Sequence, residues 1–249
     1  MNERDALLDL CHALGEPHRD LVLSAEGNVS MRLDDHTMAI KASGCALATM
    51  NDDDLVDVDI PTILDLLDGE SSDDRTKTTY RASLRSQTAK IPSVEAILHA
   101  VLYEITPAQV IGHTHPTAVN MLTCSSNAHL LVEGSLYPDA IVMLGRRQVL
   151  VPYTDPGVPL ALAVREAVSI FIAQEGVAPK IIYLENHGLF VVSDSPRDAL
   201  QLTEMAVKNA RILHGSLAAG GPRFLHPDQV NRIDQRPDEV YRRKALNVN

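Results

Sequence analysis

The chain reads as an α/β fold built on an antiparallel or mixed sheet, and three observations predict it. Strand-like alternation comes in neighbouring pairs, several helical stripes lie between them, and hairpin-like neighbours outnumber strand-helix-strand crossovers. The length of 249 residues, with 45% apolar side chains, also suffices to bury a large core.

Residues 1–16 read as an amphipathic helix carrying acids. In "VLSAEGNVSMRLDDHTMAIKASG", residues 29–33 and 37–41 alternate apolar and polar around Asp34 and Asp35, which is a β-hairpin pattern. A short strand is expected at 55–58. Residues 69–90 are polar and rich in Ser, Thr and charge, so a loop is expected there. In "PSVEAILHAVLYEI", Val94, Ile97, Leu98, Val101, Leu102 and Ile105 form one helical stripe, with Ser93 at the N-cap position.

"AQVIGHTH" then reads as a strand, and "PTAVNMLTC" as a helix with proline in its first turn. Two short apolar runs follow, "AIVML" and "QVLVPY". The segment "PLALAVREAVSIFIAQEG" predicts a helix ending at Gly176. "KIIYLENHGLFVVS" predicts two strands around a turn at 186–188. Ser195 and Pro196 open a long amphipathic helix, and from about residue 222 the chain is a polar tail with a second helical stretch. No internal repeat is present.

Composition narrows the function. Aromatic residues are 4% and Trp is absent, which disfavours a base-stacking platform; a net charge of −11 disfavours nucleic acid or an anionic membrane as partner. Three cysteines without CxxC spacing, no charged-then-apolar leader and no apolar run of membrane-spanning length point to a reduced cytoplasmic setting.

The segment "QVIGHTHPTAVNML" places His113 and His115 on one face of a strand end, close enough to grip one ion. Two ligands rarely hold a catalytic divalent metal, so a third is sought. His187 in "LENHGLF" is the best candidate, since the other histidines fall in helices, a charged turn or polar loops. A structural hydrogen-bonding role stays open for each imidazole. Glu95 and His99 lie at i and i+4. They fit either helix-end electrostatics or a carboxylate base oriented by His99. "SAEGNVSMR" and "IKASG" put small polar groups at opposite ends of the hairpin. Asn28 after Gly27, and Ser43 before Gly44, could cradle an oxyanion or be ordinary turn chemistry.

The order GNVS, ASG, PSVE…H, HTHP, ENHG resembles the class II aldolase/adducin family, over roughly residues 5 to 215. The resemblance implies a single three-layer α/β/α domain, 1–249, around a mostly antiparallel or mixed sheet, assembled as a homotetramer with sites near subunit contacts. It implies Zn²⁺, or another divalent metal, on His113, His115 and His187. Glu95 would be the catalytic acid/base, and Gly27, Asn28, Ser43, Gly44 and Ser93 the phosphate-binding groups.

The activity it implies is metal-dependent carbon–carbon cleavage of a small hydroxycarbonyl substrate through a stabilised enediolate. Relatives with epimerase, dehydratase or decarboxylase chemistry, and adducin heads that act as binding modules, are the alternatives. The intact HxH, ENH and Glu95 favour an enzyme. Two departures touch the phosphate site: Val94 stands where the pattern has a second serine, and Glu26 adjoins Gly27. Arg32, Lys41 or Arg85 are the candidates to compensate. Tyr137 and Tyr241 are candidate proton donors for an epimerase, or plain partly buried or surface tyrosines.

Overall fold

The computed structural model describes residues 3–69, 72–86, 90–239 and 241. Helix α1 (Glu3–Leu14) buries Leu7, Leu10, Cys11 and Leu14, one stripe at helical spacing. The expected hairpin forms as β1 (Asn28–Arg32) and β2 (Thr37–Lys41), paired antiparallel with Ser30 opposite Ile40. Strand β3 (Leu55–Asp59) adds to β2, and α2 (Ile60–Leu64) follows it directly, capped by Asp59.

Residues 73–82 overturn the expected loop. They form helix α3 (Asp73–Ala82), with Ser72 Oγ accepting from the Arg75 amide at 3.2 Å. The polar composition hid this helix because only Tyr80 is buried on it. That one ring anchors it: Tyr80 Oη donates to the Val94 carbonyl at 2.9 Å and accepts from the Ile97 amide at 3.2 Å. Residues 70–71 and 87–89 of the same stretch lie outside the described residues.

Helix α4 (Ala96–Ile105) starts later than its stripe suggests. Ser93 bends the chain by accepting from the Ala96 amide through its carbonyl, so Glu95 itself takes the N-cap position and Val94 is 67% exposed. The remaining elements are β4 (Val110–Thr114), α5 (Thr117–Thr123), α6 (Leu130–Glu133), α7 (Pro138–Leu144), β5 (Val149–Val151), α8 (Val158–Glu175), β6 (Ile181–Leu184), β7 (Gly188–Ser193), α9 (Pro196–Ala218) and α10 (Pro227–Asp234). The two short apolar runs thus differ: the first is helix α7, the second strand β5. The polar tail carries α10.

The seven strands form one mixed sheet in the order β3-β2-β1-β4-β7-β6-β5, antiparallel throughout except for β5 beside β6. Helices α1, α5, α7 and α9 share a core with one face, through Val29, Met31, Val110 and Val191. Helices α2, α4 and α8 share the other, through Met38, Ile40, Ile111 and Phe190. Both faces are therefore dry, and each fully buried aliphatic side chain contributes roughly 1.5–3 kcal/mol. One consequence concerns β1. Its polar positions Asn28 and Ser30, which alternation alone would leave in water, are buried beneath α4.

Candidate metal centre

Three neighbouring strands, β1, β4 and β7, end together, and the register fixes what meets there. Asn28 pairs with His113, and His113 pairs with Phe190 on its other side. The strand β4 stops at Thr114, so His115 lies one residue past its end, its amide donating to the Leu21 carbonyl at 3.0 Å. The turn joining β6 and β7 is 185–187, one residue earlier than expected, and carries His187. Asn186 takes the left-handed conformation there, with φ 55.

Gly188 begins β7, where its role is close approach: a Cβ would lie 2.4 Å from the Thr114 carbonyl oxygen and 2.8 Å from His115 Cδ2. Gly27 serves the same end, with φ +67 and a virtual Cβ 2.7 Å from the His113 carbonyl. Asn120 closes the turn by donating to the His187 carbonyl at 3.0 Å.

These backbones bring four groups together. Ligand atoms of Glu95, His113, His115 and His187 all lie within 4.8 Å of one another. The Nε2 atoms of His113 and His115 are 2.8 Å apart; Glu95 lies 3.3 Å from His113 Nε2 and 3.1 Å from His187 Nε2. Metal–nitrogen bonds of about 2.0–2.1 Å in a tetrahedron require donor separations of roughly 3.3 Å, so the set fits a divalent metal.

The tautomer fits as well. His113 Nδ1 is 2.9 Å from the Leu189 carbonyl, which can only accept, so Nδ1 carries a proton and Nε2 is the nitrogen left to face a metal. Phe190 stacks on the His113 ring at 4.1 Å and holds its plane.

Electrostatics separate the members. Burial disfavours charge on Glu95, yet the charge of His113 and hydrogen bonds from His113 and His187 more than offset it. They hold the carboxyl well below the usual carboxylate range. A metal dication at the same point would act in the same direction. His115 is pushed down to about 3, first by burial and then by the charges of His113 and His187. It is therefore a neutral nitrogen donor at any physiological pH.

Beside this cluster lies a cavity of about 320 Å³ lined by Gly27, Asn28, Lys41, Ser43, Gly44, Ser93, Glu95 and His187. The residues expected to serve as metal ligands, base and oxyanion cradle therefore lie in one cluster and the cavity beside it. A larger hollow of about 600 Å³ shares Glu26 and His115 with it and opens towards Leu23 and Met121. Glu26 stays at the site's edge, its Oε2 accepting from the Leu23 amide at 2.9 Å and lying 3.9 Å from His115 Nδ1.

Lys41 is the one compensating cation that reaches the cradle. It is 2% exposed, its Nζ donates to the Ala25 carbonyl at 2.9 Å, and burial pulls its pKa down against the opposing charges of Cys45, Cys11 and Glu95. Arg32 is instead used up at the far end of β1, donating to the carbonyls of Ala108, Tyr103 and Thr106. Arg85 is paired with Asp59. Neither candidate tyrosine stands at the cluster within this chain. Tyr137 Oη lies 3.4 Å from Met205 Sδ, and Tyr241 is 75% exposed.

The histidine pair and the turn histidine were legible as a motif, but two participants were not. Lys41 was one of three candidate cations with nothing local to choose between them, and the contact of His99 with Asn28 crosses from a helix to a strand. The alternation Asn28, Ser30, Arg32 was the available signal.

A mixed sheet lies between two helical layers, and the three-histidine, one-carboxylate cluster at the strand ends is compatible with a bound divalent metal. Residues 5–214 match the Class II Aldolase and Adducin N-terminal domain, and the chain belongs to that family. It is 25% identical over 221 residues to the 3-oxo-tetronate 4-phosphate decarboxylase of Haemophilus influenzae, covering 88% of this chain and 90% of that protein. Identity is 26% over 194 residues to YuxG of Bacillus subtilis, called an uncharacterized oxidoreductase; that match covers 74% of this chain but only 26% of YuxG. The solved structure of an L-fuculose 1-phosphate aldolase superposes with a TM-score of 0.70 at 21% identity, covering 94% of each chain. Among the described residues no helix is long and apolar enough to cross a membrane.

Proposed function

We propose that this chain is a zinc-dependent carbon–carbon lyase that cleaves a small hydroxycarbonyl compound bearing an anionic, phosphate-like end group. The observation that carries the reading is the position of the Glu95, His113, His115 and His187 cluster on the wall of the cavity that also holds Lys41, Ser43 and Ser93. A reacting carbon and a charged tail are then served by separate ends of one pocket.

In this reading His113, His115 and His187 hold the metal. When bound, zinc supplies positive charge that polarises the substrate carbonyl and stabilises the negative charge developing on oxygen. Glu95 exchanges a proton between solvent and the carbon that loses its partner. Lys41 supplies the charge that the missing second serine does not replace, and the backbone at Gly27 and Gly44 lets small donors approach the tail. Asn28, Ser43 and Ser93 orient it. Fixing both ends of the substrate lowers the entropic part of the barrier.

Aldol cleavage is the leading reaction: the β-hydroxyl loses its proton, an aldehyde departs and the electron pair is protonated at carbon. Decarboxylation of a 3-oxo acid phosphate is the second reading, favoured by the Haemophilus relative, which matches over nearly its whole length. The two share the proton-exchange half. The zinc-loaded protein in D₂O should therefore exchange the carbon-bound protons of dihydroxyacetone phosphate, followed by NMR; no exchange would remove both readings. Added aldehydes against 3-oxo-tetronate 4-phosphate, scored as condensation or released CO₂, then separate them. A cytoplasmic homotetramer formed from single domains spanning 1–249 belongs to the same reading. Sedimentation and limited proteolysis test it.

A further inference from the structure

Behind Glu95 runs a line of buried polar side chains, of which the lyase reading uses only Asn28. Asn28 Nδ2 donates to Glu95 Oε2 at 2.7 Å, and Asn28 Oδ1 meets His99 Nε2. His99 Nδ1 lies 2.7 Å from Ser30 Oγ, which lies 3.0 Å from the Tyr103 hydroxyl. Asn28, Ser30, His99 and Tyr103 are each at most 3% exposed, so water does not substitute for any partner. The line ends where Arg32 lies over the Tyr103 ring at 4.7 Å.

Proton accounting gives this line a direction. An ionised Glu95 can only accept, so Asn28 must turn its NH₂ towards it and its oxygen towards His99. His99 must then carry its proton on Nε2, which leaves Nδ1 to accept from Ser30. The opposite tautomer would flip the amide and aim an oxygen at the carboxylate. Asn28 also matters more once a metal is bound. The His113 and His187 nitrogens near Glu95 then turn their lone pairs to the ion, and Asn28 is the hydrogen-bond donor that remains to the carboxylate among the contacts described.

We propose that His99 is a positioning residue for Glu95: held as its Nε2–H tautomer by Ser30, it locks the Asn28 amide in the orientation that presents Nδ2–H to the base. The inference rests on the reading of Glu95 as the proton-exchanging group. It needs His99 neither to touch substrate nor to bind metal. Edge contact with Phe190, whose other neighbour is His113, further limits the ring's freedom. A fixed amide would hold the carboxylate on one side of the cavity, where a loose one would let it collapse onto the imidazoles.

The test has a part that requires no substrate. Long-range ¹H–¹⁵N spectra of the zinc-loaded protein should show His99 protonated at Nε2 and bare at Nδ1; the Nδ1–H form overturns the proposal. His99→Phe should keep one zinc per chain while slowing deuterium exchange into dihydroxyacetone phosphate roughly 10–100-fold in kcat, with KM nearly unchanged. His99→Gln, which retains an N–H, should recover most of that loss. Zinc lost together with activity, or an unchanged kcat, overturns the proposal.

If His99→Phe does not fold, Ser30→Ala decides: it should mix the His99 tautomers and slow kcat by about threefold to tenfold. A pure Nε2–H spectrum at the wild-type rate counts against us. If the wild-type protein exchanges no proton, the lyase reading fails, and the His99 and Asn28 spectra judge the lock alone.

Discussion

Two carboxyls withdrawn from water stand at opposite ends of the same strands and respond in opposite ways. Glu95 lies where β4 ends, among imidazoles, and is held well below the usual carboxylate range. Asp198 lies beyond the end of β7, in the first turn of α9, and is pushed up to about 6, first by burial, with the Asp194 charge adding and Lys180 opposing. Its Oδ2 accepts weakly from the Asp194 amide at 3.4 Å, and its Oδ1 has no hydrogen-bond partner. Burial alone does not make a reactive carboxylate. What distinguishes the two is that three polarised side-chain nitrogens reach Glu95, from Asn28, His113 and His187, against one long amide contact at Asp198.

The most damaging change should be removal of the shared cation site. His113→Ala should lose bound zinc and slow proton exchange by well over ~100-fold, measured by metal analysis and NMR on one sample. Full exchange in a metal-free variant would break the distinction between the two ends. Glu95→Gln should next keep its zinc but slow exchange by roughly 10²–10⁴-fold. Unchanged exchange would assign the proton to another group. Lys41→Met should leave the metal in place and weaken binding of dihydroxyacetone phosphate about tenfold, read as KM. An unaltered KM would take the charged tail out of the cradle.

The smallest effect belongs to the other end and sharpens the electrostatic contrast. A carboxyl whose folded pKa is raised contributes stability below its unfolded value, near 3.9, and loses it as pH climbs through about 6. Asp198→Asn should therefore stabilise the protein at pH 8 by about 1 kcal/mol and leave it nearly unchanged at pH 4, followed by urea unfolding. Glu95 has the reverse sign: its stabilising contribution is present above the ordinary glutamate value and is lost as pH falls through the depressed one. A common pH slope in the two variants would show that the neighbours do not separate them.

Most elements could be read along the chain because their signals are local. The hairpin has its alternation around Asp34 and Asp35, α9 has Ser195 and Pro196, and β4 has a histidine at either side of Thr114. Helix α3 escaped because one buried tyrosine supports it in place of an apolar stripe. The start of α4 escaped because Ser93 caps a bend ahead of Glu95 and not the helix itself.

What the sequence determined unaided was the chemistry available: two imidazoles sharing one strand face, a third in a glycine-relieved turn, a carboxylate in the first turn of a helix and small polar turns at both hairpin ends. These follow from residue type and from the two-residue and 3.6-residue repeats of backbone geometry. Only the tertiary structure decided that His187 closes on the strand pair, that Lys41 faces inward, and that the polar side of β1 lies under α4 in contact with His99. Those facts depend on which strands lie side by side and in what register. Register is settled by burying both faces of the sheet at once, a condition no short stretch of chain contains.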